Sequence, residues 1–153
     1  MEEIKRKLNP FVDIKIEGNK IILEIKNTRK IRKKNFGTMK AHVKNMIKGL
    51  TEGFIYKLQI AFVHFPMNVN IDKEKNELVI KNFLGEKTER RIKIPEGITV
   101  EIKKDIIEVK GADIEKAGQF SANVEKIATP SKKDRRIFQD GIYIIEKPSK
   151  SYM

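Results

Sequence analysis

Two dense clusters of positive charge are the residues of this 153-residue chain whose types and spacing suit a chemical task. Guanidinium and ammonium groups at such density bind phosphate, arginine through paired hydrogen bonds and lysine as a point charge. The first basic cluster comprises Arg29, Lys30, Arg32, Lys33 and Lys34, and the second basic cluster comprises Lys132, Lys133, Arg135 and Arg136. Both clusters predict contacts with a polyanion.

The plainer interpretation is that each cluster is a solvated loop whose charges aid solubility. Residues 25–51 contain nine cations and no acid, whereas protein surfaces normally intersperse charges of both signs. A phosphate backbone explains this unneutralised repulsion better than solubility does. Three lysines at intervals of four residues extend the first cluster along a predicted helix: Lys40, Lys44 and Lys48.

The composition favours a nucleic acid over a membrane surface as this partner. The formal net charge is +12, the isoelectric point is near 9.8, and hydrophobic residues make up 39% of the chain. A basic protein gains affinity for nucleic acid because phosphate contacts release condensed counterions. No apolar run approaches the ~20 residues of a spanning helix, and the N-terminus lacks a signal-peptide stretch, so we expect a cytosolic protein. The absence of cysteine excludes disulfides, zinc fingers and thiol nucleophiles.

The sequence offers little that suits catalysis. His42 and His64 lie far apart, and a histidine without a nucleophile or acid partner is usually structural. Asp134 and Asp140 are conceivable metal ligands of an RNA-processing nuclease, but among so many cations they are better explained as salt-bridge or turn residues. No glycine-rich phosphate loop or metal-ligand cluster occurs. We therefore expect no enzyme, no cofactor and no metal.

Alternating polar and apolar residues predict the strands that must position the clusters. Three hairpins are expected, over residues 12–25 with a turn at Gly18 and Asn19, over 69–80, and over 98–109. Single strands are expected at 54–63, 89–94 and 142–145. Gly141 would supply a turn before the last strand, or it would let an RNA backbone come close. Phe138 is more readily explained as a core residue than as a stacking platform for a base.

Two segments have helical spacing instead, with apolar residues on one face. They are Met39, Val43, Met46 and Leu50 in the first helix, and Ile114, Ala117, Ser121, Val124 and Ala128 in the second. Asp113 precedes the second helix, where a carboxylate suits the helix dipole. Gly37 and Ala41 align with Gly118 and Ala122, which suggests that both helices approach their sheets closely.

Hairpin, helix and strand occur twice in this order, so the sequence predicts a duplicated α+β unit. The fold expected is two tandem related domains, each a mainly antiparallel sheet with one helix packed on it. The boundaries are a shortened repeat at 1–66, a second repeat at 67–148 and a tail at 149–153. The first domain lacks its N-terminal hairpin and should be the less stable half. Both basic clusters fall where one repeat is longer than the other, which predicts inserted loops.

Three stretches of the chain carry a family resemblance: RRIFQDGIYIIEKP, GTMKAHVKNMIKGLTEGFIYKLQIAFVHFPM and NFLGEKTERRIKIP. Together they resemble the archaeal and eukaryotic branch of the large-subunit ribosomal protein six family, over most of residues 9–148. The resemblance implies two related α+β domains in tandem and a structural role in binding ribosomal RNA near the sarcin-ricin loop and the stalk base, where GTPase translation factors dock.

The resemblance also implies where RNA is bound, because the family's second domain supplies much of the contact. Matching positions give the second basic cluster, Lys132, Lys133, Arg135 and Arg136, followed by Gly141, Tyr143 and Lys147. The first basic cluster matches the family less closely and rests on its charge. Contacts that the family makes through the missing hairpin are not expected here.

We therefore expect a cytoplasmic ribosomal protein that neutralises and shapes large-subunit ribosomal RNA beside neighbouring ribosomal proteins. A-form RNA presents phosphates and 2′-hydroxyls and hides its base edges, so recognition by shape should dominate. Two alternatives remain at this stage, a metal-dependent RNA-processing nuclease and a free RNA chaperone.

Overall fold

The computed structural model describes residues 4–7, 10, 12–18, 20–25, 30–131, 133–134, 136–148 and 150–151, without the side chains of Ile31, Arg32, Lys150 and Ser151. The chain divides into two compact units, Met1–Glu52 and Gly53–Met153. Within the described residues, neither helix is both long enough and apolar enough to cross a lipid bilayer.

The described residues of the first unit form one hairpin and one helix. Strands β1 (Val12–Glu17) and β2 (Lys20–Ile25) pair antiparallel, with Glu17 opposite Lys20, which confirms the predicted hairpin; Asn19 of its predicted turn lies outside the described residues. Helix α1 (Lys30–Thr51) follows. Only Val12 and Met39 among its described large apolar side chains are buried, while Ile47 and Leu50 are about half exposed. This thin core fits the expectation that the first half is the less stable one.

The second unit contains eight strands, a long helix and one short 3₁₀ helix (Phe83–Gly85) among its described residues. In chain order the longer elements are β3 (Phe54–Ala61), β4 (Asn68–Asp72), β5 (Glu77–Lys81), β6 (Arg90–Lys93), β7 (Ile98–Lys103), β8 (Ile106–Gly111), α2 (Ile114–Ile127), β9 (Gly141–Lys147) and β10 (Lys150–Ser151). The predicted hairpins β4–β5 and β7–β8 and the predicted strands β3, β6 and β9 are confirmed; β10 is an addition from the expected tail.

Strand β3 lies at the centre of a five-stranded antiparallel sheet with the order β10-β9-β3-β8-β7. It pairs with β8 from Phe54 to Gln59 and with β9 from Lys57 to Ala61. The sequence predicts a boundary between residues 66 and 67, whereas the compact units divide between Glu52 and Gly53. The two boundaries differ because β3 forms its ladder hydrogen bonds with β8 and β9, and this pairing makes β3 part of the second unit.

Helix α2 covers this sheet with the predicted apolar face. Asp113 caps its start by accepting a hydrogen bond from the Glu115 backbone N–H at 2.9 Å. A Cβ atom at Gly118 would lie 2.8 Å from the Tyr56 hydroxyl, so the predicted close approach is confirmed there. It is wrong for Gly37, because a Cβ at that position would meet nothing within 4 Å.

Helix α1 begins earlier than the sequence predicts. The sequence predicts an inserted basic loop over residues 27–36, but its described residues, 30–36, are the first two turns of the helix. Lysine and arginine are good helix formers, and the segment contains no proline or glycine before Gly37. Phe36, half-buried, adds one turn to the apolar face. The loop interpretation of the first basic cluster is therefore wrong for its described part.

Candidate nucleic-acid interface

Six exposed lysines of helix α1 lie on one face of the helix. At 100° per residue they fall within an arc of about 120°, along roughly 27 Å of helix. We name this surface the α1 lysine face; its members are Lys30, Lys33, Lys34, Lys40, Lys44 and Lys48. The first turn holds no acid, so cations stand at the helix terminus that ordinarily favours negative charge. An anionic partner would relieve both the dipole and the mutual repulsion.

The second basic cluster lies on a loop between α2 and β9 that has neither helix nor strand in its described residues. Asp134 shapes its turn. Its Oδ1 accepts a hydrogen bond from the Arg136 N–H at 2.9 Å, and its backbone carbonyl accepts from the N–H groups of Ile137 (3.1 Å) and Phe138 (2.9 Å). This aspartate therefore organises the loop, as the turn interpretation predicts.

A short stack of side chains supports the same loop from beneath. The Lys133 Nζ lies 4.6 Å from the centroid of the Phe138 ring, within range of a cation–π contact. Phe138 in turn lies 5.0 Å, centroid to centroid, from the His64 ring at an interplanar angle of 36°. The half-buried Phe138 is thus a support for a cation.

A buried carboxylate fixes the end of the loop. Asp140 is 2% exposed and accepts hydrogen bonds from the Val63 N–H (3.1 Å), the His64 N–H (3.3 Å) and the His64 ring Nδ1 (3.0 Å). Burial alone would raise the pKa of Asp140, but the His64 ring and the N–H groups of residues 63–65 hold it below its ordinary value of 3.8. The charged carboxylate ties the segment after β3 to the start of β9.

An arginine fixes the start of the loop. The Arg90 guanidinium binds Glu86 through two hydrogen bonds of 2.8 and 2.6 Å, and these hold the pKa of Glu86 below its ordinary value. It also donates to the Ile127 carbonyl and, at 3.1 Å, to the Thr129 carbonyl, where α2 ends. Its guanidinium carbon lies 4.1 Å from the Phe83 ring centroid. Arg90 satisfies carbonyls that the helix end leaves free.

Both ends of the basic loop are therefore anchored by polar groups that the sequence pattern did not reveal. Glu86 and Arg90 are four residues apart and could be noticed as a helical-type pair, but Glu86 follows the 3₁₀ helix and Arg90 is the first residue of β6. The partners of Asp140 lie 76 or 77 residues away, so no local signal announced them.

The remaining predicted contact residues of the second unit, Gly141, Tyr143 and Lys147, are buried or half-buried. Gly141 is buried, and a Cβ there would lie 3.1 Å from the Ala128 carbonyl and 3.1 Å from the Tyr143 ring. The Tyr143 hydroxyl donates to the Gln139 carbonyl at 2.9 Å. Burial raises the pKa of Tyr56, and the charge of the nearby, half-buried Lys147 offsets part of this rise. Packing explains Gly141 directly; contact of these residues with RNA stays a prediction.

Three members of the basic clusters, Arg29, Lys132 and Arg135, lie outside the described residues, as does the side chain of Arg32. Of the second cluster, the structure therefore places Lys133 and Arg136, both exposed.

The carboxylates proposed for a nuclease serve other purposes. Asp140 faces three hydrogen-bond donors, and Asp134 accepts from the backbone of its own turn. In the part of the chain that the structure describes, no group of three or more histidine, aspartate or glutamate side chains is placed to hold a metal ion. The geometry thus gives these aspartates structural roles.

Some lysines elsewhere in the second unit are paired with neighbouring acids. Lys103 bonds Glu108 at 2.9 Å and Lys110 bonds Glu101 at 3.1 Å on the β7–β8 hairpin. Lys133 is exposed and forms no ion pair within 4.0 Å among the described residues, although its charge helps to lower the pKa of Glu86. On the α1 lysine face, Lys33 and Lys34 are exposed and form no ion pair with a described carboxylate, whereas Lys48 lies 3.9 Å from Glu52.

Both units combine antiparallel strands with one long helix and expose clustered cations, which defines the class as a basic α+β protein of duplicated plan. A family model described as ribosomal protein L6 matches the chain in two segments, residues 2–53 and 65–141. The chain belongs to the ribosomal protein L6 family.

Two archaeal relatives show how far the similarity extends. The chain is 44% identical over 148 residues to the large ribosomal subunit protein uL6 of Methanococcus vannielii, covering 96% of this chain and 80% of the relative. It is 40% identical over 141 residues to the large ribosomal subunit protein uL6 of Haloarcula marismortui, covering 92% of this chain and 78% of the relative.

Proposed function

We propose that the protein is a non-enzymatic constituent of the large ribosomal subunit in the cytoplasm and that it binds ribosomal RNA through its two cationic surfaces. The observation that carries the proposal is the 44% identity to a large-subunit protein over nearly the whole chain. Its contacts lie near the sarcin-ricin loop and the docking region of GTPase translation factors, beside neighbouring ribosomal proteins.

The mechanism is neutralisation of phosphates by cations held on a firm base. Arg90 and Asp140 anchor the two ends of the loop that carries Lys133 and Arg136, so less loop entropy is lost when RNA binds. The α1 lysine face presents a second row of point charges at fixed helical spacing. Such surfaces recognise the shape and backbone of A-form RNA rather than its base sequence.

Salt dependence tests whether the second basic cluster contacts phosphates. We expect the double variant Lys133→Ala, Arg136→Ala to reduce the slope of log Kobs against log salt by about two, since each lost phosphate contact removes about one. The matched control is Lys81→Ala, Lys103→Ala, because these exposed lysines already pair with Glu89 and Glu108. Filter binding to large-subunit ribosomal RNA measures both slopes, and an unchanged slope in the first variant removes these residues from the site.

The proposed location has its own test, since the chain contains no cysteine. A single Arg136→Cys substitution carries a tethered iron complex, and protein that co-sediments with large subunits on a sucrose gradient should cleave the RNA around the sarcin-ricin loop. Lys103→Cys is the control and should give a different cleavage pattern. Failure to co-sediment at moderate salt would contradict the ribosomal assignment, and cleavage from residue 136 only in other regions would contradict the location.

A further inference from the structure

The segment between β3 and β4 exposes an unusual amount of apolar surface beside the second basic cluster. Phe62 is 44% exposed, Val63 75% and Phe65 43%, and Ile137, on the basic loop, is 64% exposed. The other phenylalanines in the described part of the chain are buried or half-buried. A large contiguous apolar patch on a soluble protein often marks a binding site. Three of these four residues lie within residues 62–65, and hydrogen bonds from Val63 and His64 to Asp140 bring that segment to the loop that carries Ile137. We name Phe62, Val63, Phe65 and Ile137 the aromatic patch.

The backbone beneath this patch is held in place. The N–H groups of Val63 and His64 both donate to buried Asp140, and this aspartate follows Ile137 by three residues. The Phe65 ring lies against the backbone of Gly85, since a Cβ built there would be 3.5 Å from the ring. The exposed side chains therefore project from a backbone that is already held in place. Because their positions are fixed before binding, they suit a partner with a rigid surface better than a flexible peptide loop.

Charge beside the patch indicates what that partner is. Lys133 and Arg136 are exposed on the same loop as Ile137, while the two aspartates of that loop are engaged with hydrogen bonds inside the protein. A partner must then combine a flat apolar face with negative charge. An unpaired nucleotide has both, because its base stacks on aromatic rings while its phosphates attract cations.

We propose that the aromatic patch binds an unpaired nucleotide of the RNA, whose base stacks on the phenylalanine rings while its phosphates contact Lys133 and Arg136. The inference rests on the proposed function. It adds that the RNA segment bound at the aromatic patch contains an unpaired nucleotide and is not a continuous duplex. Stacking is tolerant of sequence, so the site selects an extruded base without selecting its identity.

The test uses two synthetic 20-base-pair RNA duplexes that carry 2-aminopurine, paired in one and as a single-nucleotide bulge in the other. We expect the protein to bind the bulged duplex about tenfold more tightly and to quench its fluorescence, since stacking on an aromatic ring contributes roughly this factor per base. Phe62→Leu, Phe65→Leu should abolish the preference, because leucine keeps apolar bulk and removes the ring face. Phe62→Tyr, Phe65→Tyr should restore it.

Controls separate this inference from the proposed function. Ile55→Ala, a substitution of an exposed apolar residue on β3, should leave the preference unchanged, and thermal unfolding should show that every variant folds. Equal affinity for the two duplexes in protein that co-sediments with large subunits would overturn the inference alone. If the leucine variant binds both duplexes as the original protein does but yields subunits depleted of a neighbouring protein, the patch binds protein and the inference is wrong.

Discussion

Replacing Asp140 by alanine should lower the free energy of unfolding by about 3 kcal/mol, the upper range for a hydrogen bond to a charged group. The carboxylate is 2% exposed and accepts from three donors, which would all lose their acceptor, although water can reach them in part because His64 is 35% exposed at its side chain. For a chain of this length the melting temperature should fall by roughly 6–12 °C.

The contribution of Asp140 to stability should also depend on pH. Since the folded-state pKa of Asp140 lies below its ordinary value, the stability it contributes is fully present above the unfolded pKa of about 3.9 and is lost as pH falls through the folded pKa. The difference in unfolding free energy between the original protein and Asp140→Asn should therefore be fully developed at pH 5 and shrink below about pH 4. Urea titrations across this range measure it.

Asp105→Ala is the matched control for Asp140, because this aspartate is exposed in the β7–β8 turn. Its backbone carbonyl accepts from the Ile60 N–H at 2.7 Å, and the substitution retains that carbonyl. The free energy of unfolding of Asp105→Ala should differ from that of the original protein by less than about 0.5 kcal/mol. Equal effects of the two alanine substitutions would contradict the role of Asp140, as would a difference between the original protein and the Asp140→Asn variant that stays constant into acid.

Arg90→Lys should cost about 2–3 kcal/mol of unfolding free energy, since the part-buried hydrogen bonds from a charged donor to the carbonyls of Ile127 and Thr129 are lost. Lysine keeps the positive charge but cannot reproduce the guanidinium geometry that reaches Glu86 and the helix end together. Urea unfolding measures the cost, and faster exchange of the Thr129 amide hydrogen should show that the start of the basic loop has loosened.

RNA binding separates this positioning effect from a direct contact. Arg90→Lys removes no charge, so the salt slope of RNA binding should be unchanged while the affinity falls, because a looser loop loses more entropy on binding. Arg91→Lys is the control on the same strand, since Arg91 forms exposed ion pairs with Glu89 and Glu77; it should change neither stability nor affinity appreciably. A reduced slope in Arg90→Lys would indicate that Arg90 itself contacts phosphate.

Periodicity predicted most of the elements, because hairpins and amphipathic helices depend on residues close together in the chain. It gave α2 with its cap at Asp113 and the buried face through Val124. It misplaced the start of α1, because counting residues between the repeats treated basic residues 30–34 as an insertion although their intrinsic preference is helical.

The candidate site was predicted by charge and resemblance, but not its support. Lys133 and Arg136 stand out in the sequence as cations. The groups that hold their loop do not, since Arg90 precedes its carbonyl partners by 37 and 39 residues and His64 precedes Asp140 by 76. Only tertiary structure brings these residues together, so neither spacing nor composition reveals them.

The central position of β3 has a consequence for how the chain is made. Translation completes β3 well before either of its neighbours, β8 and β9, leaves the ribosome. The nascent chain must carry an apolar strand with two open edges until the last third of the protein emerges, a state prone to association with other unpaired strands. A fragment beginning at residue 67 would never receive that strand, so the two halves of the duplication are separable as sequence repeats but not as independently synthesised pieces.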